Sequence, residues 1–224
     1  MKLKVNASIF IIVWAFHLSL CGGCASRETE IVIDYAPTEP GLLSKKKPSV
    51  VCLQVVDQRP ENQRDNIGVR RKTLFGAPHG RVVSKIPEVQ VVHNALKAEL
   101  ERSGHRVLGP GQGSAEITLN VSLTQFLLDS KAAEVVYIEV VGSIRADVVA
   151  SASTKNISQL SFRVESSYRD YVQMGWAAYT TALGLLSDLF IRTPKDEIEK
   201  VVNGTLAEFV RCFCEEPKLR QVFI

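Results

Sequence analysis

Three long segments of this chain alternate apolar and polar residues, and they restrict the fold more than any other feature. The segments are residues 115–123, 135–150 and 159–168. Successive side chains of a β-strand point to opposite faces of a sheet, so each segment predicts a strand with one apolar and one polar face. The short intervals between them, at 129–131 and 151–156, are typical of an antiparallel meander with one face in water.

The alternation changes phase after the first segment. Apolar residues occupy odd positions as far as Leu123 and even positions at Phe126 and Leu128. One extra residue in a strand produces such a shift, so the sequence predicts a β-bulge after Leu123.

Three further strands and one long loop are predicted. Runs at 30–35, 50–56 and 105–108 are rich in β-branched or aliphatic residues, as strands are. The run at 50–56 is apolar on both faces, which is typical of a central strand. Residues 61–82 are polar and contain glycine and proline, so they predict a long loop.

Two amphipathic helices are predicted to cover the sheet. Residues 87–103 form one, and Gly104 after it is placed for a left-handed cap. Its apolar face consists of Val89, Val92, Leu96 and Leu100. Residues 194–213 form the other, with a stripe of Ile198, Val201, Val202, Leu206, Phe209, Val210 and Phe213. We predict an α+β two-layer sandwich, an antiparallel or mixed sheet with both helices on one face.

A third helix, predicted at 174–191, has two apolar stripes. One consists of Trp176, Tyr179, Leu183, Leu186 and Phe190, and the other of Ala178, Ala182, Leu185 and Leu189. Two stripes imply two apolar surroundings, so the second is either a docking surface or part of a thicker core. Asp188 makes a membrane span a poor alternative, because a charge inside a membrane is costly.

The first 24 residues have the layout of a secretory signal. Lys2 and Lys4 precede an apolar run at 9–16, which is too short to cross a bilayer. Gly23 before Cys24 resembles the lipobox of bacterial lipoproteins, in which the cysteine is lipidated and becomes the new N-terminus. Leu20 before Cys21 does not fit that pattern, since a small residue normally precedes the lipidated cysteine.

Cleavage before Cys24 would divide the chain into three parts. These are a signal peptide at 1–23, a lipid-anchored segment and linker at 24–48, and one periplasmic α+β domain at 49–224. The chain has 27 Lys and Arg and 24 Asp and Glu, and two of the lysines leave with the signal. The resulting near-neutral balance argues against a nucleic-acid partner. Lys45, Lys46 and Lys47 are interpreted as part of a solvated tether.

The sequence nominates no catalytic or metal site. The four histidines are scattered, and the Cys212-x-Cys214 spacing is not that of zinc or redox motifs, so neither a metal nor a cofactor is expected. Glu99 and Glu101 are interpreted as solvated charges. Buried free thiols are favoured, since a free Cys behaves as a small core hydrophobe. If a disulfide forms instead, Cys52 with Cys212 is the expected pair, and Cys214 is expected to point away from the apolar stripe.

Asp57 and Arg59 are the one charged pair singled out. They lie two residues apart at the end of the predicted strand 50–56, so they point to the same face. They form either a recognition point at a strand-end groove or an ion pair that holds the strand end and the following loop. Ion pairs of the second kind are common, and we favour that interpretation.

Several of these segments, in this order, resemble the YajG-type family of bacterial lipoproteins. They are the lipobox, Val-Cys-Leu-Gln-Val-Val at 51–56 followed by Asp57-Gln58-Arg59, Ile67-Gly68, the helix end at 95–107 and the strand at 115–121. The resemblance covers roughly residues 20–170 and the last helix. It implies a lipid anchor in the outer membrane, a domain facing the periplasm, and no established enzymatic activity.

The expected function is therefore that of a non-enzymatic binding or scaffolding component of the cell envelope. Its partners would be the membrane, through the lipid, and an envelope protein, with a homo-oligomer left open. An auxiliary lipoprotein of an envelope transport system is the alternative within binding functions. A cell-wall-active hydrolase is the alternative from another class, and the lack of an acid/base constellation counts against it.

Overall fold

A computed structural model gives the fold of residues 28–36, 43, 48–64, 66–73, 78–134, 137–153, 157–173, 190–192 and 194–223. Its strands are β1 Thr29–Ile31, β2 Val50–Asp57, β3 Gly68–Thr73, β4 Pro78–Ser84, β5 Arg106–Leu108, β6 Ile117–Glu134, β7 Tyr137–Ala152, β8 Ile157–Gln173 and β9 Phe190–Arg192. Its helices are α1 Glu61–Arg64, α2 Glu88–Arg102, α3 Lys195–Glu215 and α4 Pro217–Phe223.

The predicted meander is confirmed and is longer than expected. β6 pairs antiparallel with β7, and β7 pairs antiparallel with β8. The predicted bulge is present as a register shift between Leu123 and Gln125. The predicted connection at 129–131 is wrong, because Ser130 pairs with Val140 inside the ladder. After the bulge the buried side chains are at even-numbered positions, and this alternation continues through Phe126, Leu128 and Ser130.

β2 is a central strand, as predicted. It pairs in parallel with β5 on one side and with the first half of β6 on the other. Further along β6, Leu128 pairs with Gly68 of β3, which continues the sheet through β4 to β1. The sheet is therefore mixed, with parallel pairs around β2 and antiparallel pairs in the meander.

The long loop predicted at 61–82 is wrong. This stretch contains α1, β3 and most of β4. The β3 sequence GVRRKT has no apolar alternation from which a strand could be predicted. The strand is held by backbone pairing with β4, β6 and β9. Gly68 also lies so close to β6 that a Cβ there would overlap the carbonyl oxygen of Leu128.

The helices α2 and α3 pack on one face of the sheet, and the two-layer α+β prediction is confirmed. All seven residues of the predicted α3 stripe are buried. In α2 the buried apolar residues are Val91, Val92, Ala95, Leu96 and Leu100, whereas Val89 is only half-buried. Gly104 has φ +88°, which confirms the left-handed cap.

Two further differences concern the chain ends. β1 stops at Ile31, short of the predicted strand at 30–35. The short helix α4 was not predicted; it begins at Pro217 and buries Leu219, Val222 and Phe223. Of the predicted helix at 174–191, residues 174–189 lie outside the described part. Its last two positions belong instead to β9, which pairs with β3.

The opposite face of the meander is polar, as predicted. Charged residues on β7 and β8 form cross-strand ion pairs, among them Arg163 with Asp147 and Arg169 with Glu139. Within the described residues no helix is long and apolar enough to cross a membrane.

Candidate functional site

Arg59 is the bulkiest fully buried side chain in the described part of the chain, with 1% of its area exposed. Its Nε and Nη2 donate to the two carboxylate oxygens of Asp57 at 3.0 and 2.7 Å. The predicted Asp57–Arg59 ion pair is therefore present in bidentate geometry, the strong form of such a contact.

A second carboxylate completes this cluster. Glu88, in the first turn of α2, accepts from Nη2 of Arg59 at 2.8 Å, and its side chain is 5% exposed. A carboxylate at this position also interacts favourably with the positive end of the helix dipole. Glu88 was not predicted from the sequence, although an acidic residue directly after Pro87, at a predicted helix start, was the available signal.

Backbone carbonyls close the rest of the site. Nη1 of Arg59 donates to the Gln63 carbonyl at 3.2 Å, and Nη2 donates to the Arg64 carbonyl at 3.4 Å. In return, Nε of Arg64 donates to the Arg59 carbonyl at 3.0 Å. Every nitrogen of the Arg59 guanidinium thus donates to the protein itself. The cluster joins the end of β2, the helix α1 and the start of α2.

The charge state of Asp57 follows from these bonds. Burial alone would raise the pKa of Asp57, but the side-chain and backbone hydrogen bonds from Arg59 outweigh it, and the pKa lies below its ordinary value. Asp57 is therefore a carboxylate at neutral pH. A recognition role for Asp57 and Arg59 stays a prediction.

Glu99 forms a second buried polar cluster, and its interpretation as a solvated charge is wrong. It is 2% exposed and accepts a hydrogen bond from the hydroxyl of Tyr35 at 3.1 Å. Its other oxygen, Oε1, has no hydrogen-bond partner in the described part, and neither does Oγ of Ser103. Glu99 lies three residues after Leu96 and four after Ala95, so helical spacing placed it on the buried face.

The cysteines are arranged differently from the prediction. Cys214 is buried, and Cys212 is only half-buried, so the expectation that Cys214 points away from the core is wrong. α3 continues to Glu215, and Cys214 lies four residues after the buried Val210 on the same face. Cys52, Cys212 and Cys214 are all free thiols, so the structure contains no Cys52–Cys212 bridge.

Burial raises the pKa of the Cys214 thiol, and the nearby charge of Glu99 raises it further. Burial and Glu99 raise the pKa of Tyr35 in the same way. Cys214 is therefore protonated at neutral pH, which is the unreactive form of a thiol. Across the described residues, no group of three or more His, Cys, Asp or Glu side chains is placed to hold a metal ion.

The N-terminal segment is bound across both main helices. The Val32 N–H donates to Glu199 at 2.9 Å, and the Asp34 N–H donates to Asn203 at 3.1 Å, both on α3. The Tyr35 hydroxyl binds Glu99 on α2. Leu43 is 4% exposed, so the linker interpreted as a solvated tether is docked at that residue.

The remaining predicted site residues are outside the described part of the chain. They are Cys24, Trp176, Tyr179, Leu185 and Leu189. Lipidation at Cys24 and docking through residues 174–191 therefore stay predictions.

No family model matches this chain, and no curated protein matches it significantly in sequence. Among solved structures, it is similar to a Xanthomonas campestris protein assigned to the family DUF330, with 11% identity, a TM-score of 0.45, and coverage of 86% of this chain and 99% of that one. It is also similar to a minor lipoprotein of Acinetobacter baumannii, with 7% identity, a TM-score of 0.37, and coverage of 78% of this chain and 90% of that one. A third similar structure is a Neisseria meningitidis lipoprotein, with 10% identity, a TM-score of 0.31, and coverage of 61% of this chain and 93% of that one.

Proposed function

We propose that this chain is a non-enzymatic lipoprotein, anchored by acyl chains on Cys24 in the outer membrane and facing the periplasm, where it binds or scaffolds another envelope component. The observation that carries the proposal is the signal-like N-terminus ending in Gly23-Cys24, followed almost at once by a segment docked on the domain. Several acyl chains on one cysteine anchor a protein stably, whereas a single chain binds only marginally.

The short spacing between the anchor and the domain supports a scaffolding role. Four residues separate Cys24 from Thr29, where β1 begins. Even fully extended, that chain spans at most about 17 Å. From β1 onward the segment is bound to β4, α2 and α3. The domain would thus be held close to the membrane in a restricted orientation, as suits a protein that presents one surface to a partner.

The use of the buried ionisable groups supports a non-enzymatic function. All three nitrogens of the Arg59 guanidinium donate to the protein, and the Cys214 thiol is buried and protonated. The Glu99 carboxylate is 2% exposed and lies beneath Tyr35. A catalytic acid, base or nucleophile must come within hydrogen-bonding reach of its substrate. These groups serve the fold instead.

Mass spectrometry of the mature N-terminus tests the anchor. We expect a chain that begins at Cys24 and carries acyl groups. Cys24→Ala should abolish both cleavage and acylation, whereas Cys21→Ala, the matched control, should change neither. An unmodified Cys24, or acylation that survives in Cys24→Ala, would contradict the proposal.

Localisation can be tested by density fractionation of envelopes. By the sorting rule for such lipoproteins, an aspartate directly after the lipidated cysteine favours retention in the inner membrane. Ala25→Asp should therefore move the protein from the outer- to the inner-membrane fraction. Crosslinking of intact envelopes, followed by affinity purification of the wild type, should then recover a partner that is lost with Ala25→Asp. Recovery of no envelope protein would count against the scaffolding role.

A further inference from the structure

β8 is a long strand with one unpaired side. In the described part of the chain it pairs with β7 alone, over residues 157–173. Such an edge exposes backbone N–H and C=O groups to which another strand can add. β8 also carries alternating charges along this edge, at Arg163, Glu165 and Arg169, which decide what kind of strand fits it.

From Ser161 to Tyr171, the backbone groups of the odd-numbered residues of β8 point away from β7. The Ser161 carbonyl accepts a hydrogen bond from Nζ of Lys218 at 2.9 Å, and the Tyr171 N–H donates to the Asp170 side chain at 2.8 Å. The carbonyl of Arg145, opposite Glu165, accepts a hydrogen bond from the Thr124 hydroxyl on the β6 side. Since N–H and C=O of one strand residue point the same way, Arg163, Glu165, Ser167 and Arg169 face the open edge with their backbone groups.

The side chains beside this edge form rows of alternating charge. On the polar face of the meander, Glu165 pairs with Arg145, and Arg163 pairs with Asp147 at 2.7 Å. Each row runs across the strands and ends at β8, one with a negative and the other with a positive charge. Adjacent rows thus present opposite signs to whatever is placed next to β8.

We propose that the β8 edge is a homodimer interface, at which a second copy of this chain adds its own β8 antiparallel around a twofold axis at Val164. In this register Arg163 faces Glu165 of the second copy, and Glu165 faces Arg163 of the second copy. Each row then reads plus, minus, plus, minus from Arg145 to Asp147 of the second copy. Opposite charges directly across an antiparallel pair are stabilising, and like charges are destabilising.

The other positions of the axis fit less well. An axis at Arg163 or at Glu165 places two like charges opposite each other, and an axis at Ser166 brings Arg163 against Arg169. An axis at Ser167 gives Glu165 a partner but sets Arg163 against Tyr171 and Val164 against Asp170. The Val164 register pairs both charges, and it exchanges hydrogen bonds between odd-numbered residues, as the orientation of the edge requires.

Between Gln159 and Arg169 the strand is compatible with this register once Nζ of Lys218 leaves the Ser161 carbonyl, which it binds in the single chain. It sets Ser161 against Ser167 and Gln159 against Arg169, and the pairing ends there because β8 has a register shift between Leu160 and Ile157. On the core side, the half-buried Leu160 would lie against Tyr168. The same patch meets itself in both copies, as a closed twofold dimer demands.

A charge-exchange experiment on the full chain in detergent tests the interface, with the protein mass measured by light scattering. We expect the wild type to be dimeric. Arg163→Glu and Glu165→Arg should each lose the dimer, because each homodimer would then contain like pairs. Mixed together, the two variants should recover a heterodimer in which both pairs are again of opposite sign. Lys97→Glu reverses an exposed charge on α2, away from β8, by the same amount as Arg163→Glu, so it should remain dimeric.

Crosslinking tests the register. Ser161→Cys mixed with Ser167→Cys should give a disulfide-linked dimer between the two variants, whereas neither variant alone should give one through its new cysteine. A wild type that is monomeric in detergent and yields no mixed crosslink in intact envelopes would overturn the proposal. So would dimers that persist equally in both charge variants, since the edge charges would then only protect the strand from aggregation.

Discussion

Arg59 shows how much of this fold depends on one charged side chain in the interior. Its guanidinium lies between two carboxylates and two backbone carbonyls, with 1% of the side chain exposed. A buried pair of this kind adds little net stability relative to an apolar replacement, but removing one partner leaves an uncompensated buried charge. Here removal of Arg59 would leave both Asp57 and Glu88 without their cation.

Arg59→Ala should lower the free energy of unfolding by about 3–5 kcal/mol, the usual cost of breaking a buried ion pair. The measurement is urea denaturation followed by circular dichroism. Arg211→Ala is the matched control, because it removes an arginine that is also paired with two carboxylates, Glu208 and Glu215, but on the exposed side of α3, and it should change the unfolding midpoint little. Equal midpoint shifts for both variants would show that the Arg59 cluster does not hold the strand end.

At this scale the sequence predicts pairs that are close along the chain and misses those that are distant. Asp57 and Arg59 are separated by two positions on one strand, so strand periodicity brings them together. Glu88 lies 29 residues after Arg59 and meets it only because α2 packs against the end of β2. Glu99 is a different case. Its spacing from Ala95 and Leu96 placed it on the buried face of α2, but its charge led to the prediction that it is solvated.

The secondary-structure elements were predictable where burial imposes a period. The meander strands and the α3 stripe each have one face against the core, so their apolar residues repeat every two or 3.6 positions, and the bulge after Leu123 shows as a shift in that repeat. β2 was predictable for another reason, since its run of apolar residues is typical of a central strand. β3 and β4 carry no such repeat. They are held by backbone hydrogen bonds to neighbouring strands, and those bonds leave little trace in residue type.

Gly142 fixes how closely α3 approaches the meander. It lies on β7, and a Cβ at this position would overlap Oγ1 of Thr205 on α3. If the Thr205 side chain turned away, it would lose the hydrogen bond that its hydroxyl donates to the Val201 carbonyl at 2.7 Å. The contact is possible only because residue 142 has no side chain.

Gly142→Ala should therefore destabilise the protein by about 1–3 kcal/mol through overpacking. Combining it with Thr205→Ala should recover part of the loss. Gly109→Ala, where the new methyl meets only the flexible side chain of Gln112, should stay within about 0.5 kcal/mol of the wild type. Thermal unfolding measures all three, and a Gly142→Ala variant as stable as Gly109→Ala would contradict this account of the helix–sheet contact.

At the scale of the whole molecule, the decisive contacts join segments far apart in sequence. The N-terminal segment binds α3 through Val32 and Asp34, across separations of 167 and 169 residues. Its sequence indicated a short strand and a tether, but no local pattern shows where such a segment docks. The same holds for β9, which pairs with β3, a strand that the sequence presented as loop.

Residues 174–189 connect the end of β8 to β9, and the two apolar stripes predicted there bear on the whole molecule. If the stripe containing Leu185 and Leu189 is a docking surface, replacing both leucines with serine should leave thermal stability nearly unchanged and reduce association with envelope partners. Burying two leucines in a core contributes several kcal/mol, so the same replacement in a core position should lower the melting temperature by several degrees. Melting of the purified protein and partner recovery from crosslinked envelopes, measured on the same variant, separate the two. A large fall in melting temperature with unchanged partner recovery would show that this stripe belongs to the core.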